Sequence, residues 1–215
     1  MNHRFKAFLI SISLLVSQVL TNANPASAVY HGVKIIDNKW VVAIVMQTGK
    51  KARLCSGVLI KPTTVMTAKH CAIDENGSIY EKIQINSPGT RFDFPLNKKM
   101  ELRLVTNVIP APDIVDKYAP DSGDIAFLQF DIPFTNYDLP EIGTSEQIAS
   151  LKPWSLIKGY GYGTVGDGKK RYSPYPNSYE LSWGNDDHAI TNNVVLIASV
   201  ASIACSGDSG GPITA

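Results

Sequence analysis

Gly207-Asp208-Ser209-Gly210-Gly211-Pro212 lies close to the end of a 215-residue chain, and its lateness constrains the fold more than any other feature. The segment sets a serine among small residues, so that backbone N–H groups can turn toward one point. Acyl transfer needs that arrangement: a nucleophilic oxygen beside donors for the oxyanion it creates. On its own, Gly207-x-Ser209-x-Gly211 also fits the nucleophile elbow of α/β-hydrolases. That fold requires its acid and its histidine after the serine, and only Gly210 to Ala215 follow here. Partners for Ser209 must come from upstream.

The upstream chain reads as all-β. After the first 28 residues no long 3.6-residue period occurs, whereas short stretches rich in Val, Ile and Thr recur. Trp40 to Met46, Leu54 to Ile60 and Thr64 to Ala68 are strand-like. Met100, Leu102 and Leu104 alternate with Glu101 and Arg103, predicting a strand with one wet face. Ile125 to Phe130, Ser155 to Lys158, Tyr179 to Trp183 and Val194 to Val200 continue the series. Turn-rich stretches such as Ser87-Pro88-Gly89 and Gly166-Asp167-Gly168 separate them. Many short strands with frequent turns predict a sandwich or barrel. Strand signals lapse from Pro133 to Ser150, which predicts a boundary between two lobes, 29–140 and 141–215.

The N-terminus has a different character. Arg4 and Lys6 precede an apolar run from Ala7 to Leu20, and Ala26-Ser27-Ala28 is a small-residue cleavage site. Residues 1–28 are therefore expected to be a secretory signal peptide, placing the mature protein outside the cell or in the periplasm. The apolar run is too short for a comfortable membrane span, so no membrane attachment is expected after cleavage. A net charge of +1 over the whole chain offers no electrostatic argument for nucleic-acid binding. His31 and His188 lack the spacing of metal ligands, and neither a metal nor a cofactor is expected.

Two further segments give Ser209 its partners. Serine is a poor nucleophile near neutral pH and needs a base, a role that suits histidine; a carboxylate can then hold the imidazole in the right tautomer. Thr67-Ala68-Lys69-His70-Cys71 and Asp124-Ile125-Ala126-Phe127-Leu128 offer both, in the order His, Asp, Ser. With these three motifs, the chain from about Val29 onward resembles the trypsin/chymotrypsin-like serine endopeptidases. The resemblance implies two antiparallel β-barrels of the chymotrypsin type with a substrate cleft between them. Ser209 becomes the nucleophile, His70 the general base and acid, and Asp124 the orienting carboxylate; Asp121, in a turn-prone Pro-Asp-Ser-Gly run, competes for that last role. Lys69 stands where the family usually has a small residue.

The same resemblance assigns several supporting positions. The N–H groups of Gly207 and Ser209 would form the oxyanion hole. Cys55 and Cys71 would pair, consistent with an exported protein. Cys205 would then be left over, since no cysteine follows the serine, so the second barrel is expected to be incomplete at its C-terminus. A new ammonium group at Val29 would fold inward to pair with Asp208. Ile203 would sit at the base of the primary specificity pocket, an apolar residue that argues against a demand for Arg or Lys. Gly159-Tyr160-Gly161-Tyr162-Gly163 fits either a family turn or an ordinary glycine-rich turn. Substrates would be polypeptides, and a C-terminally complete form would be monomeric. The rival readings are a truncated, non-catalytic homologue that binds a partner through the same cleft, and an esterase of another fold.

Overall fold

The computed structural model describes residues 32–215 apart from 95, 97–98, 113–122, 153, 165–171, 184–189, 192–193, 196 and 199–203. Val29, Asp121, Ile203 and the expected signal peptide lie outside the described residues.

The organising strand is β2 (Val41–Thr48), which is buried along most of its length on both sides of the pleat. Val42, Ile44 and Met46 join one apolar cluster with Leu59, Val65, Ile83, Ile85 and Leu128. Val41, Ala43 and Val45 join another with Leu54, Phe92 and Tyr162. A strand wet on one face would alternate; this one is a nearly continuous apolar run because each face has its own core. Fully burying such a side chain stabilises the fold by about 1.5–3 kcal/mol.

Around β2 run β3 (Lys51–Lys61), β4 (Thr64–Thr67), β5 (Lys82–Asn86), β6 (Leu102–Leu104), β7 (Asn107–Pro110) and β8 (Ala126–Gln129). They form a seven-stranded antiparallel sheet in the order β6-β5-β2-β3-β4-β8-β7. The two outermost strands, β6 and β7, are separated in sequence by Val105 and Thr106 alone. Val105 N–H donates to Ile83 O at 3.0 Å on one side, and Thr106 N–H to Gln129 O at 2.8 Å on the other. Flat, seven strands would hold their edges roughly 29 Å apart, far beyond the reach of two residues. The sheet is therefore rolled, and its edges meet.

The second lobe is a five-stranded antiparallel sheet of β1 (Val33–Lys34), β10 (Asn177–Trp183), β9 (Leu156–Gly161) and β14 (Ile213–Thr214) in that order, with β13 (Ile197–Ala198) also on β10. A hairpin of β11 (Ile190–Thr191) and β12 (Val194–Val195) accompanies it. β9 also contacts β2 and β3, which brings the two sheets together. β1 crosses the expected division at residue 140: it precedes the first sheet in sequence yet pairs with β10.

Two local expectations need correction. Met100 to Leu104 does give β6, but its apolar face is buried only toward its start, where Met100 packs against the second core and Leu102 is half-buried. Leu104 is exposed, because an edge strand three residues long has little sheet to lie against. The boundary region also holds a short helix, α1 (Ser145–Ala149), closed by a capping box. Thr144 accepts from the Gln147 N–H and the Gln147 side chain returns to the Thr144 N–H. The Thr-x-x-Gln pattern was legible in the sequence, though five residues are too few for a helical period. Among the described residues no helix is long and apolar enough to cross a membrane.

Candidate active site

His70 is presented by a single 3-10 turn, Lys69–Cys71, that begins where β4 ends. Cys71 is fully buried in the first core and is joined to Cys55 on β3 by a disulfide, as the resemblance implied. The turn is thus anchored immediately beside its exposed histidine. Cys55, Cys71 and His70 bring ligand-type atoms within 4.8 Å of one another, but both sulfurs are spent on the disulfide. The Lys69 ammonium donates to the carbonyl of Ala111 at 3.1 Å.

Asp124 lies two positions before β8 and grips His70 twice. Its Oδ2 lies 2.7 Å from the ring Nδ1 and its Oδ1 accepts the His70 backbone N–H at 2.9 Å. An ionised carboxylate only accepts, so Nδ1 carries the proton and the Nε2 lone pair is left available. The backbone bond fixes the carboxylate in register with the ring, limiting its rotation away. The two contacts fix which ring nitrogen faces the carboxylate and how the ring is turned.

The Ser209 turn is seated on the first sheet rather than held by its own lobe alone. Ser56 N–H on β3 donates to the Ser209 carbonyl at 2.9 Å, and Cys71 Sγ lies 3.7 Å from the same oxygen. Gly210 adopts φ +77° and passes so close to β4 that an added Cβ would collide with Thr67 Oγ1. It would also approach the Ala68 nitrogen to 2.6 Å and the Ser56 carbonyl oxygen to 2.7 Å. Thr67 and Ala68 lead directly into the His70 turn. The structure therefore brings the Ser209 backbone against the strands that position His70 and Asp124. Gly207 has φ +101°, a region in which glycine alone is comfortable.

Asp208 is buried, and both carboxylate oxygens are occupied by backbone donors. Oδ1 accepts from Gly163 N at 2.7 Å and Oδ2 from Cys205 N at 2.8 Å. Burial pushes its carboxyl up to about 6, against those two bonds, which favour the ionised form. The neighbouring Tyr179 phenol is pushed upward as well, chiefly by burial and then by the Asp208 charge. These N–H groups are the partners of Asp208 among the described residues.

Sequence reading missed the cradle around Asp208. Gly161 and Gly163 each leave a gap that the Asp208 carboxylate fills; a Cβ at either would run into it. Gly159 does the same for the Tyr179 ring. The alternating glycines of 159–163 belong to β9 and the segment leaving it, not to a simple turn. Their spacing was the available signal: glycines at alternate positions along a strand and its extension leave a trough.

Comparisons with known proteins agree with this geometry. The sequence profile of the Trypsin family matches residues 30–215. The chain belongs to the trypsin family. It is 27% identical to vitamin K-dependent protein C of Rattus norvegicus over 82% of this chain, though that spans only 40% of the relative. It is 24% identical to a tryptase of Mus musculus, with 97% of this chain and 82% of the relative aligned. A trypsin of Phaedon cochleariae is 27% identical over 94% of this chain and 79% of the relative. A solved structure titled "Structure of GrC" superposes with a TM-score of 0.65 at 18% identity, covering 86% of this chain and 82% of that one. The family's chemistry is serine-type peptide hydrolysis, so the chain is a trypsin-like serine protease with a chymotrypsin-type all-β fold.

Proposed function

We propose that this protein is an exported serine endopeptidase in which Ser209 attacks the scissile carbonyl and forms an acyl-enzyme. His70 takes the serine proton and passes it to the leaving amine, and Asp124 holds the ring and stabilises the imidazolium. The observation that carries the reading is the two-point grip of Asp124 on His70, at 2.7 and 2.9 Å. A surface histidine has no need of a carboxylate fixed to both its ring and its backbone.

The N–H groups of Gly207 and Ser209 act as the oxyanion hole, where losing one donor typically costs about 3–4 kcal/mol of transition-state stabilisation. Polypeptide substrates lie between lobes 29–140 and 141–215, and Ile203 lines the base of the primary pocket. Export by residues 1–28 exposes the Val29 ammonium. That group competes with Gly163 and Cys205 for Asp208, and a charged partner there would offset the burial that now disfavours the Asp208 anion.

A fluorophosphonate probe tests the reading on the secreted protein. Labelling should fall on Ser209, vanish in Ser209→Ala, and accompany cleavage of peptide amides. A folded wild-type protein that is neither labelled nor proteolytic would overturn it.

A further inference from the structure

Ser56 is fully buried, and it makes four hydrogen bonds at the place where the two lobes meet. Its N–H donates to Ser209 O at 2.9 Å. Its carbonyl accepts from Thr67 Oγ1 at 2.7 Å. Its hydroxyl donates to Gly207 O at 2.8 Å and accepts the Tyr162 N–H at 2.9 Å. The backbone bonds could be made by any residue. The other two depend on the side chain.

We infer that the Ser56 hydroxyl is a positioning device for the Gly207 peptide, tying the oxyanion turn to the first barrel and to the segment leaving β9 at once. The inference rests on the reading of Gly207 and Ser209 as oxyanion donors, and adds a residue that touches neither substrate nor reacting atoms. Gly207, at φ +101°, has no side chain to restrain it, so its two flanking peptide planes must be held from outside. On the near side, Thr164 N–H donates to Ser206 O at 2.9 Å. Because the peptide is planar, fixing that carbonyl fixes the Gly207 N–H pointing the opposite way. On the far side, the Gly207–Asp208 plane is held at both of its polar ends: the Asp208 N–H donates to Cys205 O at 3.0 Å and, among the described residues, the Gly207 carbonyl accepts from the Ser56 hydroxyl at 2.8 Å.

A hydroxyl suits this place because one group must donate to a carbonyl and accept from an N–H at the same time. Alanine can do neither. It would leave the Gly207 carbonyl and the Tyr162 N–H without their partner in a dry interface, and both would move in search of replacements. Glycine removes the methyl as well, leaving room for a water to bridge the two groups. The two variants therefore separate loss of the hydrogen bonds from loss of packing.

The test uses the full secreted protein with Ser56→Ala and Ser56→Gly, beside wild type and Ser209→Ala. Measured for each are kcat and KM on a peptide amide, the affinity of a peptide boronate, and thermal unfolding. Ser56→Ala should lower kcat about 10- to 100-fold with KM changed less than about twofold. Boronate affinity should fall in parallel with kcat/KM, since the boronate adduct occupies the oxyanion hole. Ser56→Gly should recover part of both losses. A folded Ser56→Ala with wild-type kcat and boronate affinity would overturn the inference while leaving the triad intact. If Ser56→Ala does not fold, Ser56→Gly decides: wild-type boronate affinity there, with no bridging water in its crystal structure, would likewise overturn it. A wild-type protein that binds no boronate and cleaves no peptide would remove both the inference and the reading beneath it.

Discussion

The two lobes hold their share of the site in different ways. In the first, His70 and Asp124 depend on local support: a rolled sheet, a core on the inner face of β2, and a disulfide next to the histidine. In the second, the Ser209 turn is held from both sides: Ser56 and the tight passage of Gly210 past Thr67 join it to the other lobe. Its own lobe holds it through Thr164 N–H to Ser206 O, Tyr160 N–H to Pro212 O and the Asp208 cradle. On the proposed reading, the catalytic geometry is a property of the interface, so damage should register differently on the two sides.

The sharpest way to break the comparison is to remove a first-lobe group without disturbing the interface. His70→Ala should reduce kcat/KM about 10⁵- to 10⁶-fold, with unfolding little changed because the ring is exposed. Asp124→Asn should cost about 10⁴-fold by allowing the wrong tautomer. Steady-state kinetics and a melting curve on each variant check both. A large drop in thermal stability for His70→Ala would mean that the first lobe leans on the site.

Gly210→Ala should do the reverse, damaging fold and activity together. Gly49 provides the control, since it too has positive φ, at 56°, but nothing lies within 4 Å of an added Cβ. Backbone strain alone costs about 1–2 kcal/mol, the expected loss for Gly49→Ala. At Gly210 the collisions with Thr67, Ala68 and Ser56 come in addition, and a loss above about 3 kcal/mol is expected. Denaturant titration of the pair measures the difference. Equal losses would mean that the serine turn is not clamped between the lobes.

Opening the disulfide sharpens the contrast from the first-lobe side. Cys55 and Cys71 are separated by 16 positions, and closing such a loop stabilises by about 3 kcal/mol on the chain-entropy model. The double variant Cys55→Ala/Cys71→Ala should lose about that much in denaturant titration. The surviving molecules should keep most of their activity, since the grip of Asp124 on His70 does not pass through sulfur.

How much could be read from the sequence follows the same division. His70, Asp124 and Cys71 sit in contiguous, strongly patterned segments, and their strands were legible because β2, β3 and β4 carry dense apolar runs. β5 was missed although Ile83 and Ile85 alternate with polar residues, since Lys82, Gln84 and Asn86 dilute the signal. β7 ends in Pro110, tolerable only on an edge, and β14 has two residues, too few for any pattern. The Asp208 cradle was hidden for a different reason. Gly161 and Gly163 gain meaning only from a carboxylate that lies 45 positions downstream of Gly163, and a glycine records a contact by lacking a side chain. Ser56 was invisible on the same grounds, because both partners of its hydroxyl are backbone groups in the other lobe.

The smallest expected effect concerns the second-lobe group that, among the described residues, carries a charge inward. Asp208 sits among backbone donors, but burial dominates and raises its carboxyl from 3.8 to about 6. A raised folded-state value means that folding favours the protonated form. The contribution to stability is therefore fully present below about pH 4. It is lost as pH rises toward 6, because the unfolded chain ionises before the folded one. Each unit corresponds to 1.36 kcal/mol, so the upper bound is about 3 kcal/mol, and relaxation of the cradle should bring it nearer 2. Denaturant titrations of wild type and Asp208→Asn at pH 4.5 and 7 isolate the effect, since other carboxylates cancel between the two proteins. Wild type should lose more stability than the variant over that range. If a Val29 ammonium reaches Asp208, the sign inverts. An ion pair would lower the carboxyl below its ordinary value, and wild type would instead gain on the variant as pH rises. Comparing the protein that starts at Val29 with one carrying an extra N-terminal residue would then reveal whether the second lobe is finished from inside by its own N-terminus.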